Sequence, residues 1–376
     1  MTSLYRERFD LTLKHRRPDR PPMDLGATDM TEIEGGPRRL AHALGLSGGD
    51  GAGLDERVLR ELDIDIRGVG GILKPASLLE RRVSDTEFVD VWGIGYRFTG
   101  HHHEAVGRPL AGVTIDDLGR YPWPDPDSIS AAAYTAVGAL ARQLYEHSPY
   151  VVCARHPCFG VMELACWMCG FEDLLYRMAA EPEFVMRLFE ILFDYQKRVM
   201  ERYYEAVGSF IHFTTSGDDF GTQTGPFVSP AMFRQYVAPF LAERVRIVRR
   251  HSTAAFFHHS CGAIHELIPD LIAAGVDILN PIQPRARNME PERLKRDFGD
   301  RLTFYGGVDT QLLLPNGTPD EVAARTQALI ATLGASGGYV LSAAHVIQSD
   351  VPVGNVLALY RSGREAACKA GRGDGR

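Results

Sequence analysis

No run of roughly 18 or more apolar residues occurs in this 376-residue chain, so no membrane-spanning helix is expected. A basic excess is also missing. Lys and Arg number 41 against 48 Asp and Glu, giving a formal charge of −7 and no electrostatic case for nucleic acid. Cysteine is sparse: the six residues at 153, 158, 166, 169, 261 and 368 form no regular framework. The first residues, through Arg6-Glu7-Arg8 to Arg16-Arg17, are too charged for a secretory signal. Reduced thiols in a cytoplasmic protein are therefore the expectation. No Gly-x-Gly-x-x-Gly follows the early strands and no phosphate loop is present, which counts against a nucleotide-binding open sheet.

What is there is an ordinary globular composition, 45% hydrophobic and 24% charged. The pattern is one of alternating strands and helices. Residues 3–15 read as a short amphipathic helix, broken by Arg17-Pro18-Asp19-Arg20-Pro21-Pro22, with a first strand from Met23 to Gly26. Residues 27–125 are the least regular part and read as an elaboration packed over one end of the core. His101-His102-His103 inside it reads as a polar turn, because adjacent His residues cannot all face one metal from regular structure. Helices are predicted over 128–146, over 172–206 with a break at Pro182, and after the Ser229-Pro230 start. Thr318-Pro319-Asp320-Glu321 is a capping box opening a helix to Leu333. Strands are predicted at Tyr150–Ala154, Phe210–Phe213, the run ending at His259, Val276–Asn280, Leu302–Tyr305 and Tyr339–Leu341. Such alternation implies βαβ units and a parallel sheet. A single (β/α)8 TIM barrel over residues 1–376, with 27–125 as the elaboration, is the expected fold. A doubly wound open sheet is the alternative.

In a parallel barrel the functional groups lie at the C-terminal strand ends. Read in order, those ends offer Arg155 and His156, Asp218 and Asp219, His259 and Cys261, Asn280 and Gln283, Asp309, and His345. His259 and Cys261 are two apart, so an extended chain sends both from one face. Imidazole and thiolate are the side chains zinc favours, and His345 would complete three ligands with one position open. Asp218 or Asp219 suits a proton acceptor, a supporting group or a fourth ligand; the alternative is a rim carboxylate that caps a neighbouring helix or binds an Arg. Glu163 lies where a loop gives way to a helix, and divides between a site role and a helix-start acid.

These residues resemble the uroporphyrinogen decarboxylase superfamily. The resemblance is carried by Gly217-Asp218-Asp219 with Thr222-Gln223 and Gly225-Pro226, by Ser229-Pro230, by His258-His259-Ser260-Cys261-Gly262, by Tyr305-Gly306-Gly307-Val308-Asp309-Thr310 and by Gly317-Thr318-Pro319. Arg6-Glu7-Arg8-Phe9 and Pro18-Asp19-Arg20-Pro21-Pro22 look like that superfamily's opening. It implies a single distorted barrel and two candidate chemistries. The decarboxylases hold a tetrapyrrole's carboxylates with an Arg-rich opening segment and no metal. Here the matching stretch, Pro22-Met23-Asp24-Leu25-Gly26-Ala27-Thr28, lacks arginine. The zinc methyltransferases carry His-x-Cys and a distant downstream Cys, near whose place His345 stands.

The resemblance thus implies a zinc-dependent methyltransferase that moves a methyl group between a methylated small molecule or thiol and a corrinoid carried by a partner protein. The alternative is a metal-independent tetrapyrrole decarboxylase; a non-catalytic barrel is the third reading. In the first, zinc is held by His259, Cys261 and His345, the acid–base work falls to Asp218 and Asp219, and Glu163, Gln223, Asn280, Gln283 and Asp309 bind substrate. A homodimer is left open.

Overall fold

In a computed structural model, the chain builds a curled seven-stranded parallel sheet wrapped by helices. The structure describes residues 3–46, 54–75, 80–100 and 103–370. Strand β1 is Ile66–Gly70. A separate antiparallel sheet holds β2 (Arg81–Arg82), β3 (Glu87–Val89), β4 (Gly95–Phe98) and β5 (His103–Gly107). The parallel sheet continues with β6 (Val151–Arg155), β7 (Phe213–Thr214), β8 (Ala255–His259), β9 (Ile278–Ile282), β10 (Thr303–Val308) and β11 (Tyr339–Ala343).

Spatial order follows chain order, β1-β6-β7-β8-β9-β10-β11, all parallel. A doubly wound sheet reverses its order at a switch point; this one does not. Met23 bridges the two ends. Asp24 N–H donates to the Leu341 carbonyl at 3.0 Å, and Asp65 N–H donates to the Met23 carbonyl at 3.0 Å.

The alternation of a pleated strand sorts the core into two layers. Ile66, Val151, Phe213, Phe257, Ile278, Tyr305 and Val340 form an inner cluster inside the curl. Their chain neighbours, such as Phe256, Leu279 and Leu341, pack outward against the helices. The helix Leu4–Leu13, capped by Ser3, covers the end where the strands begin. Its Phe9 ring lies 5.2 Å from Phe213. Arg8 and Arg20 both pair with the buried Asp65 carboxylate, which also accepts the Met23 N–H. Removing one partner of such a buried group typically costs about 3–5 kcal/mol, so this cluster fastens the opening segment to β1.

Several elements differ from the sequence reading. Part of the 27–125 stretch is not elaboration, because β1 belongs to the main sheet and pairs with β6. Its run Ile66-Arg67-Gly68-Val69-Gly70 hides a buried strand behind Arg and Gly. Met23–Gly26 contributes one bridge rather than a regular strand. Phe210 falls in a short helical turn, and β7 is reduced to Phe213–Thr214. The helix after Ser229 breaks at Val237 and restarts with Pro239 in its first turn. His103 begins β5, while His101 and His102 lie outside the described residues. The capping box at Thr318 forms as expected, with Glu321 N–H donating to the Thr318 hydroxyl and Thr318 N–H to the Glu321 carboxylate. No helix among the described residues is long and apolar enough to cross a membrane.

Candidate metal centre

Strand β8 determines where the imidazole points. Ala255 and Phe257 face the inner cluster, so His259, the next in that alternation, also points inward at the open end of the curl. His258 faces the opposite way, stacking on Phe220 at 5.5 Å. The strand stops at His259, and Gly262 follows with φ +90°. A Cβ there would lie 2.3 Å from the Gly221 carbonyl oxygen, so only glycine lets the chain turn under the 217–221 segment. That turn brings Cys261 back beside His259.

His259, Cys261 and His345 converge: one nitrogen or sulfur atom from each lies within 4.8 Å of the others. Cys261 Sγ is 3.4 Å from His259 Nε2, and the two imidazoles meet edge to face at 5.4 Å. Zinc bonds of about 2.0–2.3 Å in a tetrahedron put ligand atoms roughly 3.3–3.8 Å apart. The Cys261–His259 pair already has that spacing, and the third ligand needs only a small side-chain adjustment. The donor set, two imidazoles and one sulfur, fits zinc chemically. Burial, helped by His259, lowers the His345 pKa to about 4, so its lone pair is available at neutral pH. Burial, and then the charges of Asp219 and Glu163, push the Cys261 thiol up. A cation bound there would favour the thiolate.

The surroundings orient the triad. Asn280 Oδ1 lies 2.6 Å from His259 Nδ1, while the same amide donates to the Tyr305 carbonyl at 3.1 Å. Asn280 therefore keeps the proton on Nδ1 and leaves Nε2 free to donate its lone pair. Gln283 donates to Cys261 Sγ at 3.5 Å and accepts the Gly262 N–H at 2.8 Å. Asp219 accepts the Cys261 N–H at 2.8 Å and stands 3.6 Å from His259 Nε2.

The other candidates divide. Asp218 is buried and accepts N–H donors from Met162 and Glu163, at 3.1 and 2.7 Å, at the start of the helix Val161–Cys169. A Cβ on Gly160 would fall 2.1 Å from Asp218 Cγ, so that position must be glycine. Burial raises Asp218 to about 7 against those donors. Glu163 sits near both aspartates; burial and their charges hold its pKa well above the carboxylate range. Asp309 accepts N–H groups of Gln311, Leu312 and Leu313 and serves the turn after β10. Gln223 is exposed on a loop, where its carbonyl accepts the Arg287 N–H. Arg155 is occupied by Asp29, Glu32 and the carbonyls of Gly26 and Ala27. The Tyr305 carbonyl that anchors Asn280 carries no signal in the sequence, because any residue type supplies it.

Comparison with known proteins agrees with this frame. The uroporphyrinogen decarboxylase of Coxiella burnetii, in three strains, is 26% identical over 145 residues, covering 37% of this chain and 37% of that protein. The match thus spans little more than a third of these curated relatives. A methyltransferase from Methanosarcina mazei superposes with a TM-score of 0.64 over 97% of this chain and 99% of its own, at 15% identity. At that identity the likeness is one of fold. Residues 90–366 match the family model for uroporphyrinogen decarboxylase (URO-D). The chain belongs to the uroporphyrinogen decarboxylase family.

Proposed function

We propose that this protein is a zinc-dependent methyltransferase, moving a methyl group between a methylated small molecule or thiol and a corrinoid held by a partner protein. The observation that carries the reading is the convergence of His259, Cys261 and His345 at the open end of the sheet. Three N/S ligands with an open position are a catalytic pattern; structural zinc sites are closed by four protein ligands. Zinc bound there would supply Lewis acidity toward a substrate sulfur or oxygen.

The chain's own residues do the rest. Asn280 holds the His259 tautomer, and Gln283 gives the Cys261 sulfur a hydrogen-bond donor. Asp219 takes or returns a substrate proton, a role supported by its anchoring through the Cys261 N–H and its partial exposure. Asp218 acts as a positioning residue that fixes the helix carrying Glu163. The same proposal takes the fold as a full eight-fold barrel, in which the bridge at Met23 stands in the place of the strand between β11 and β1, in a cytoplasmic protein.

The second reading, metal-independent tetrapyrrole decarboxylation, draws on the family match. A polycarboxylate substrate calls for free arginine forks. The strand-end Arg155 is instead paired to Asp29 and Glu32. Zinc-loaded protein mixed with a thiol and methylcobalamin separates the two. Demethylation that requires zinc supports the methyltransferase. Porphyrinogen turnover by the metal-free protein, with no demethylation, overturns it.

A further inference from the structure

A cavity of about 430 Å³ lies between the small antiparallel sheet and the loop and helices beside the metal centre. That size falls in the range of small-molecule pockets, roughly 300–1,000 Å³. Its walls are aromatic. Phe88 and Tyr96 stack at 5.0 Å on the side of the small sheet. Phe159 and Trp167 meet edge to face at 5.0 Å, and Trp92 and Tyr195 do so at 4.7 Å. Such edge-to-face pairs leave ring faces and edges open to a further ring.

The lysine and the two carboxylates of the lining are already engaged. Lys74 pairs with Glu80, and Asp90 accepts the N–H groups of Trp92 and Ile94. Gln196 is different. It lines the cavity from the helix Pro182–Val207, is wholly buried, and has no hydrogen-bond partner for either its amide oxygen or its nitrogen. Buried amides are normally paired, so an amide with both ends unpaired and closed off from solvent points to a missing partner, reached when a neighbouring lining side chain shifts. A space filled by apolar atoms alone would not supply one.

We propose that this cavity binds the ring of a small uncharged aromatic compound whose hydrogen-bonding substituent pairs with Gln196. The site goes beyond the methyltransferase reading and does not depend on zinc. It does share an element with the metal centre. The helix Val161–Cys169 contributes Leu164 and Trp167 to the cavity, and its first-turn N–H groups hold Asp218. Phe159, in the cavity wall, lies 6.4 Å from the His156 ring.

Two of the three tryptophans, Trp92 and Trp167, line the cavity and report on it by fluorescence. Metal-free full-length protein is titrated with phenol, toluene and cyclohexanol. Phenol is expected to bind saturably, about tenfold or more tighter than toluene, since a site built to pair a hydroxyl rejects its analogue. Cyclohexanol is expected to bind more weakly than phenol. Gln196→Leu removes two unpaired polar atoms and should fold well; it is expected to erase the preference for phenol and keep toluene binding. Phe88→Ala, on the opposite wall, should weaken both. No saturable binding of either ring compound, cyclohexanol binding as tightly as phenol, or an unchanged phenol preference in Gln196→Leu would each overturn the proposal.

Discussion

Asn280 bridges the His259 ring and the Tyr305 backbone: its Oδ1 lies 2.6 Å from His259 Nδ1, and its Nδ2 donates to the Tyr305 carbonyl at 3.1 Å. Because Tyr305 fixes which end of the amide faces the ring, the imidazole has one tautomer and one orientation. Asn280→Ala should therefore weaken zinc binding by about 10–100-fold while the three ligands stay in place. Competition with a chromophoric chelator measures this. Unchanged affinity would show that His259 is oriented by something other than Asn280.

His345 lies 84 residues beyond Cys261 in sequence, yet its ring meets that of His259 at 5.4 Å. His345→Cys should retain zinc, because a thiolate is an equally good ligand, whereas His345→Ala should bind it at least about tenfold more weakly. An Ala variant that holds zinc as tightly as the parent removes His345 from the ligand set.

The two aspartates should separate by assay. Asp219→Asn keeps the shape but cannot accept a proton at neutral pH; turnover should fall by roughly 10²-fold or more with the melting temperature nearly unchanged. Asp218→Ala removes a helix cap from a buried site, and should cost about 1–3 kcal/mol of stability in urea unfolding. If Asp219→Asn turns over normally, the proton acceptor lies elsewhere.

The alternation of apolar strands and helices made the parallel sheet legible, and strand ends in polar groups made the rim legible. His259, Cys261 and His345 could be grouped because late strands of a curled sheet share one mouth. What stayed hidden depends on close approach between distant segments. Nothing local marks Asp218 as the cap of a helix that starts at Val161, 57 residues earlier; Gly160, which makes room for it, looks like any loop glycine. Asp309 carries no sign that three backbone N–H groups will take its carboxylate. β1 was masked by Arg67, whose guanidinium lies over the Tyr150 ring at 3.6 Å and pairs with Glu56 instead of reaching solvent.

Acid sensitivity should trace partly to His212, far from the metal centre. Its Nδ1 accepts the Val152 N–H at 3.0 Å, so the ring must be neutral to hold that bond. Burial, and then the Arg6 charge, lower its pKa from 6.5 to about 4. The unfolded chain takes up this proton more readily than the folded one. The contribution to stability is therefore complete above about pH 6.5 and is lost as pH falls toward about 4. His212→Asn can still accept the Val152 N–H but does not titrate. Urea midpoints at pH 7 and pH 4.5 should differ less for this variant than for the parent. Equal differences would assign the acid loss to other groups.

The central claim is tested most directly by metal content. Protein purified without chelator should carry about one zinc per chain, measured by elemental analysis. His259→Ala and Cys261→Ser should each lose most of it while keeping the parent's circular dichroism, because the inner cluster from Ile66 to Val340 is built without them. Full zinc occupancy in both variants, or a parent protein that neither carries zinc nor takes it up on titration, would contradict the account.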